Sequence, residues 1–299
     1  MIRAGELVAF PTETVYGLGA NALDATAVER IFEVKGRPAT SPLIVHVDTI
    51  AMAQDIIAGW PERAQLLATA FWPGALTLVL PKRASVPDRV TAGLLTVGVR
   101  VPAHPVALAL IREAGVPIAA PSANRFTGLS PTTAAHVLAA LGDRVALILD
   151  GGPTRVGIES TVLSLTGGNA VLLRPGMVSQ AEIESVIGPV LLAGQAGEGA
   201  QHMAHPAPGM HRKHYSPKTR VVLGPPLLNG RGAQLRITQP ALVERTVQMP
   251  DEPSEYAALL YATLHELDAE GLDWIAVETP PEDPRWSGIH DRLRRAASE

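Results

Sequence analysis

The sequence predicts a two-domain α/β protein, and three observations carry that prediction. Short apolar or β-branched runs alternate with helical patterns through the first 190 residues. A stretch of Gly, Ala, Gln and His without periodicity then begins at Ala193, and a smaller alternating unit follows it. A chain of 299 residues suits two such units.

Taken in order, the strands of the first unit fall at Leu7–Phe10, Leu43–Val47, Leu76–Leu80, Val97–Val101, Ile118–Ala120, Val145–Leu149, Ser160–Leu165 and Ala170–Leu173. Between them, a helix from Ala25 to Val34 has Asp24 as its N-cap. A second helix follows Ser130-Pro131, read as a cap with proline at the first helical position. A third opens on Ser179-Gln180-Ala181-Glu182, a capping box. This gives domains at 1–190 and 218–299, joined by a basic linker at 191–217. Between Glu198 and Glu244 the chain carries no acid. The second unit's strands fall at Arg220–Leu223, Gln234–Ile237 and Trp274–Val277. Its long helix runs from a serine cap at Ser254 to a stop before Gly271, and a last helix covers Ile289–Ala297.

With 46% hydrophobic and 18% charged residues the chain can bury a core, built from Ala, Val and Leu because aromatics are only 4%. A net charge of -4 argues against a protein that coats nucleic acid. Without cysteine there is no thiolate zinc site, iron–sulfur cluster or cysteine nucleophile. No apolar run reaches the roughly 20 residues needed to cross a bilayer, and the start lacks a signal-peptide pattern. The chain reads as soluble and cytoplasmic.

Several polar clusters sit at the ends of successive strands, where open α/β sheets place ligands. The first is Pro11-Thr12-Glu13-Thr14-Val15-Tyr16-Gly17-Leu18-Gly19. Its Gly17-Leu18-Gly19-Ala20-Asn21-Ala22 satisfies G-x-G-x-x-A, but six residues separate it from the strand and no acid follows at ribose-binding distance, so a dinucleotide fold is rejected. Next come Lys35 and Arg37, in a loop stiffened by Pro38 and Pro42. They read equally as a polyphosphate clamp or as cations complementing a helix dipole, and the prolines favour the clamp. Arg100 lies inside the apolar strand Thr96-Val97-Gly98-Val99-Arg100, where a guanidinium must be paired or face a cavity. Pro121-Ser122-Ala123-Asn124, then Ser130, and Ser160 with Arg174 complete the set. In the linker, His202, His205, His211 and His214 invite a metal, but no carboxylate or thiolate completes a ligand set. A basic flap carrying Tyr215 over phosphates is preferred.

Together, Phe10 through Leu18, Lys35-Gly36-Arg37-Pro38, Pro42-Leu43 and Pro121-Ser122-Ala123-Asn124 resemble the YrdC-like family. The linker motifs Pro208-Gly209-Met210-His211 and His214-Tyr215-Ser216-Pro217, with the tail Asp291-Arg292-Leu293, are similar to its two-domain threonylcarbamoyl-AMP synthases. The resemblance implies a twisted mixed-sheet catalytic domain with a smaller Rossmann-like α/β domain. The implied reaction joins ATP, L-threonine and bicarbonate, with Mg²⁺ accompanying ATP, to give threonylcarbamoyl-AMP and pyrophosphate. It links the chain to tRNA indirectly, through downstream transferase proteins. By matching positions, Thr14, His46, Arg100, Ala120 and Ser160 would contact threonine; Arg37, Ser41, Thr96, Ser122, Ser130, Arg174 and Tyr215 would contact ATP; Lys35 would lie near phosphates or bicarbonate. The competing readings are an RNA-binding module without ATP turnover and another carbamoyl-adenylate-forming enzyme.

Overall fold

The computed structural model describes residues 1–194, 215–227 and 229–298. The first domain runs β1 (Val8–Pro11), β2 (Tyr16–Asn21), α1 (Ala25–Lys35), β3 (Ile44–His46), α2 (Ile50–Ile56), α3 (Glu62–Phe71), β4 (Leu76–Pro81), α4 (Asp88–Thr91) and β5 (Thr96–Arg100). It continues through α5 (Pro105–Ala114), β6 (Ile118–Ala119), α6 (Ala134–Leu141), β7 (Leu147–Ile148), β8 (Thr161–Ser164), β9 (Ala170–Arg174), α7 (Gln180–Ile187) and β10 (Val190–Leu192). These strands form one mixed sheet in the order β10-β9-β8-β4-β5-β3-β6-β2-β1-β7.

Local chemistry accounts for most boundaries. Asp24 accepts from the amides of Thr26 and Ala27 and starts α1, and Gly36, left-handed at φ 61, ends it. Ser179 and Glu182 make the reciprocal capping box of α7. The helix read after Ser130 starts later: Thr133 caps α6 through the His136 amide. The Ser130 hydroxyl instead donates to Glu159, a demand set 29 residues away that a local cap signal cannot carry. Strand β2 contradicts the reading of its residues as a turn, because two glycines hide it. A Cβ on Gly19 would lie 2.7 Å from the Phe10 ring and 2.9 Å from Ile118, so neighbouring side chains close over the backbone there.

The sheet's two faces explain where a ligand can go. On one face Val45, Val97, Val99, Leu76, Leu78 and Leu80 join the main core under the helices. On the other, β1 and β6 bury Val8, Phe10 and Ile118 against α5. Beyond α5 that second face carries only a small apolar floor of Ile44, Val79 and Val162. Alternation along β3 and β5 puts His46, Gly98 and Arg100 on the same face as this floor. A concave surface is left between strand ends.

The second domain holds β11 (Arg220–Leu223), β12 (Gly232–Arg236), β13 (Thr246–Gln248), α8 (Pro253–Ala269), β14 (Trp274–Val277) and α9 (Ser287–Ala296). Its sheet has the order β11-β14-β12-β13 and every pair is parallel, as a Rossmann-like unit requires. Helix α8 begins at Pro253 with Glu252 at the cap position, so Ser254 is inside the helix and does not cap it. Residues Val15, Leu129, Ile158 and Tyr215 of the first domain and linker share one apolar cluster with Leu260, Leu264, Ile289 and Leu293. Gly157 sits so close to α8 that a Cβ there would lie 2.2 Å from the Ala257 carbonyl. The domains share an interior. The four linker histidines and Pro208-Gly209-Met210 lie outside the described residues.

Candidate active site

The turn between β1 and β2 is built by Thr12, whose hydroxyl lies 2.8 Å from the Thr14 hydroxyl and donates to the Val15 carbonyl at 2.7 Å. Between the two threonines, Glu13 Oε1 lies 2.7 Å from Arg100 Nη2, and Glu13 Oε2 accepts from the Ala103 amide at 2.9 Å. Arg100 therefore has a buried partner. It also donates to the Thr14 hydroxyl (3.0 Å) and to the Gly74 carbonyl (3.1 Å). Its guanidinium is fixed at the tip of β5, at the edge of the concave face.

His46, one strand over, is buried, and its Nδ1 has no hydrogen-bond partner. Burial, with Arg100 adding to it, pushes its pKa down to about 3, so the imidazole is neutral at pH 7. Ser160 Oγ lies 2.8 Å from Thr77 Oγ1. Arg174 donates through Nε and Nη2 to the Ser160 carbonyl, at 3.1 and 2.9 Å. Arg37, in the loop after α1, donates to the Pro42 carbonyl at 3.1 Å. Burial lowers its pKa to about 10, with Tyr215 opposing and Arg174 assisting, which leaves it charged at neutral pH.

These groups meet around one cavity. Thr14, His46, Arg100, Ala120 and Ser160 line one part of it, and Arg37, Ser122, Arg174 and Tyr215 line the rest. The cavity is small, about 50 Å³, and partly open to solvent. Four sequence-chosen residues stand elsewhere. Lys35 lies beneath the loop after β6, donating to the carbonyls of Ser122 (2.6 Å) and Asn124. Ser130 lies behind Glu159. Ser41 sits within the loop between Arg37 and β3, and its amide donates to the Pro38 carbonyl at 3.2 Å. Thr96 lies at the far end of β5, on the open face four residues from Arg100.

Thr12, Glu13 and Arg292 fall within the sequence motifs, and Glu159 directly precedes Ser160, yet none of the four carries a role in the sequence pattern. Glu159 lines the cavity and accepts from Arg292 Nε at 2.7 Å, from Ser130 and from the Tyr261 hydroxyl at 3.2 Å. Burial pushes its carboxyl up, yet Arg292 and Arg174 together hold it below the usual range. The signal for Glu13 was available: an acid at a strand tip that must receive anions is tolerable only beside a cation. Three guanidiniums and one already paired carboxylate face the cavity, which leaves it cationic.

A family model described as "Telomere recombination", covering the Sua5, YciO and YrdC proteins, matches residues 1–176. The chain belongs to the Sua5/YrdC family. A second model, "Threonylcarbamoyl-AMP synthase, C-terminal domain", matches residues 178–298, so the match takes in both domains. The threonylcarbamoyl-AMP synthase of Bacillus subtilis (strain 168) is 44% identical over 316 residues, covering 99% of this chain and 91% of that protein. The Pyrococcus abyssi enzyme of the same name is 43% identical, over 99% of this chain and 92% of its own. The crystal structure of P. abyssi Sua5 complexed with L-threonine superposes with a TM-score of 0.91 at 42% identity, covering 99% of this chain and 92% of that one. The two-domain Sua5 architecture is thus that of the whole chain.

Proposed function

We propose that this protein is an L-threonylcarbamoyladenylate synthase, a nucleotidyltransferase acting on ATP, L-threonine and bicarbonate. The observation that carries the reading is the convergence of Arg37, Arg100 and Arg174, with Ser122 and Ser160, on one cavity in a chain of the Sua5/YrdC family. The threonine amine adds to the bicarbonate carbon and water leaves, giving a carbamate. A carbamate oxygen then attacks the α-phosphorus of ATP, and pyrophosphate departs. No protein nucleophile is needed, and catalysis comes from alignment and charge neutralisation.

The roles follow from the chemistry of the groups. Arg100, fixed by Glu13 and Thr14, offers a forked donor edge to the threonine carboxylate. Neutral His46 can add a hydrogen bond there but no competing charge. Arg37 and Arg174, which line the cavity beside Ser122, face the phosphates. Lys35 acts on ATP through the Ser122 loop that it holds. No cluster of three or more His, Asp or Glu among the described residues could hold a metal. Both carboxylates beside the cavity are paired with arginine. Mg²⁺ is therefore assigned to the ATP itself, held by phosphate oxygens and water. The product is an activated acyl donor, consumed by downstream transferase proteins that modify an adenosine in tRNA.

The test is pyrophosphate release from purified protein with ATP, omitting threonine or bicarbonate in turn. Release is expected to need both. ATP hydrolysis indifferent to either would sink the proposal.

A further inference from the structure

We infer that Arg292, on the last helix of the second domain, is a positioning residue of the active site, holding one wall and the roof of the cavity in register. This rests on the proposed reading of that cavity.

The guanidinium is wholly buried and its donors are divided among separate pieces of the site. Nε bonds the Glu159 carboxylate at 2.7 Å, and Nη2 bonds the Glu159 carbonyl at 3.1 Å. Nη1 bonds the Pro175 carbonyl at 2.9 Å and Asp291 at 2.8 Å. Glu159 immediately precedes Ser160, and Pro175 immediately follows Arg174. One planar group therefore grips the backbone at both ends of the Ser160–Arg174 contact. It also lies 5.3 Å from the ring centroid of Tyr215, the cavity's roof. A lysine, with one compact head, cannot span these acceptors.

Docking of the domains does not explain an arginine here. The rings of His136 and His265 stack at 4.0 Å across the same interface, and Val15, Leu129 and Ile158 share an apolar cluster with the second domain. A buried ion pair stabilises no better than apolar residues of similar volume. What the guanidinium supplies, and an apolar side chain cannot, is fixed directional bonds to the two carbonyls flanking the substrate contacts.

The experiment uses the full chain. Arg292→Lys, Arg292→Met and Glu159→Gln/Arg292→Met are compared with Ile289→Ala, a packing change in the same helix at a residue that does not line the cavity. Steady-state pyrophosphate release gives kcat and KM for ATP and threonine, below each variant's melting temperature. Arg292→Met is expected to raise both KM values roughly tenfold or more, with a smaller loss in kcat, because the contacts it orders bind substrate. The double variant is expected to recover part of that loss by relieving the unpaired Glu159. Ile289→Ala is expected to stay within about twofold of the parent KM. Parental KM values in Arg292→Met, or an equal rise in Ile289→Ala, would overturn the inference. Should Arg292→Met fail to fold, Arg292→Lys carries the test: raised KM is expected, and parental KM refutes. Should the parent show no threonine- and bicarbonate-dependent turnover, the proposed activity fails separately. Calorimetric binding of ATP and of L-threonine to the parent and to Arg292→Lys then decides the inference, with equal affinities refuting it.

Discussion

Replacing Glu13 by glutamine removes one charge from a buried pair while keeping the side chain's shape. The two carboxylate and guanidinium groups stand 2.7 Å apart, with only 10% and 3% of their side chains exposed. At that separation the gross attraction is about 6 kcal/mol for an effective dielectric of about 20. Desolvation of both ions cancels much of it, and breaking such a pair outright costs about 3–5 kcal/mol. Glutamine can still accept from the Ala103 amide, so a loss of about 2 kcal/mol is expected. For a domain of this size that is a fall of roughly 4–8 °C in melting temperature. The second half of the expectation concerns ligand: a threonine carboxylate at Arg100 would replace part of the missing charge. Scanning calorimetry with and without L-threonine reads both effects. The stabilisation on adding threonine should be larger in the variant than in the parent. A melting temperature within about 1 °C of the parent, or an equal threonine shift in both proteins, would refute the placement of Arg100 at the carboxylate.

Arg37→Ala should lower turnover about a hundredfold or more while near-ultraviolet circular dichroism stays native; parental pyrophosphate release would remove Arg37 from the phosphate site. Lys35→Met should raise the KM for ATP about tenfold, through the loosened Ser122 and Asn124 carbonyls, and a KM equal to the parent's would show that the loop does not depend on it. Burial, with Arg100 beside it, holds the His46 pKa down to about 3 in the folded protein, against about 6.5 for a free imidazole. The unfolded chain therefore binds the extra proton between those values, and stability is full above about pH 6.5 and falls as pH drops toward 3. His46→Gln should flatten the denaturation free energy against pH by up to about 1.4 kcal/mol per unit across pH 4–6, and an unchanged slope would contradict the burial of this ring. Gly157→Ala should destabilise by more than about 2 kcal/mol, since its methyl meets the α8 backbone and its φ is left-handed; a melting curve matching the parent would argue against that close contact.

What the sequence made legible was whatever is written locally. Strands β3, β4 and β5 stood out because most of their residues are β-branched or leucine, and α1 and α7 because Asp24 and Ser179 cap them within three residues. Strand β2 did not, because glycines at 17 and 19 serve neighbours that only the folded sheet brings near. The site divided in the same way. Arg100, Ser122 and Arg174 were visible as polar residues at strand ends, and Arg37 as a cation in a proline-stiffened loop. Lys35 was visible as a cation, but its acceptors lie 87 and 89 residues away. Ser130 looked like a cap because nothing nearby announces Glu159. The role of Arg292, 133 residues from its carboxylate, belongs to the tertiary fold alone.

Val15 follows Thr14, and Ile158 precedes Glu159, yet both side chains belong to the cluster that closes over α8 and α9. Prising the two lobes apart would thus wet leucines and unroof the reaction chamber in one motion. Heat inactivation and melting should accordingly track each other, and the chamber inherits the stiffness of a protein interior.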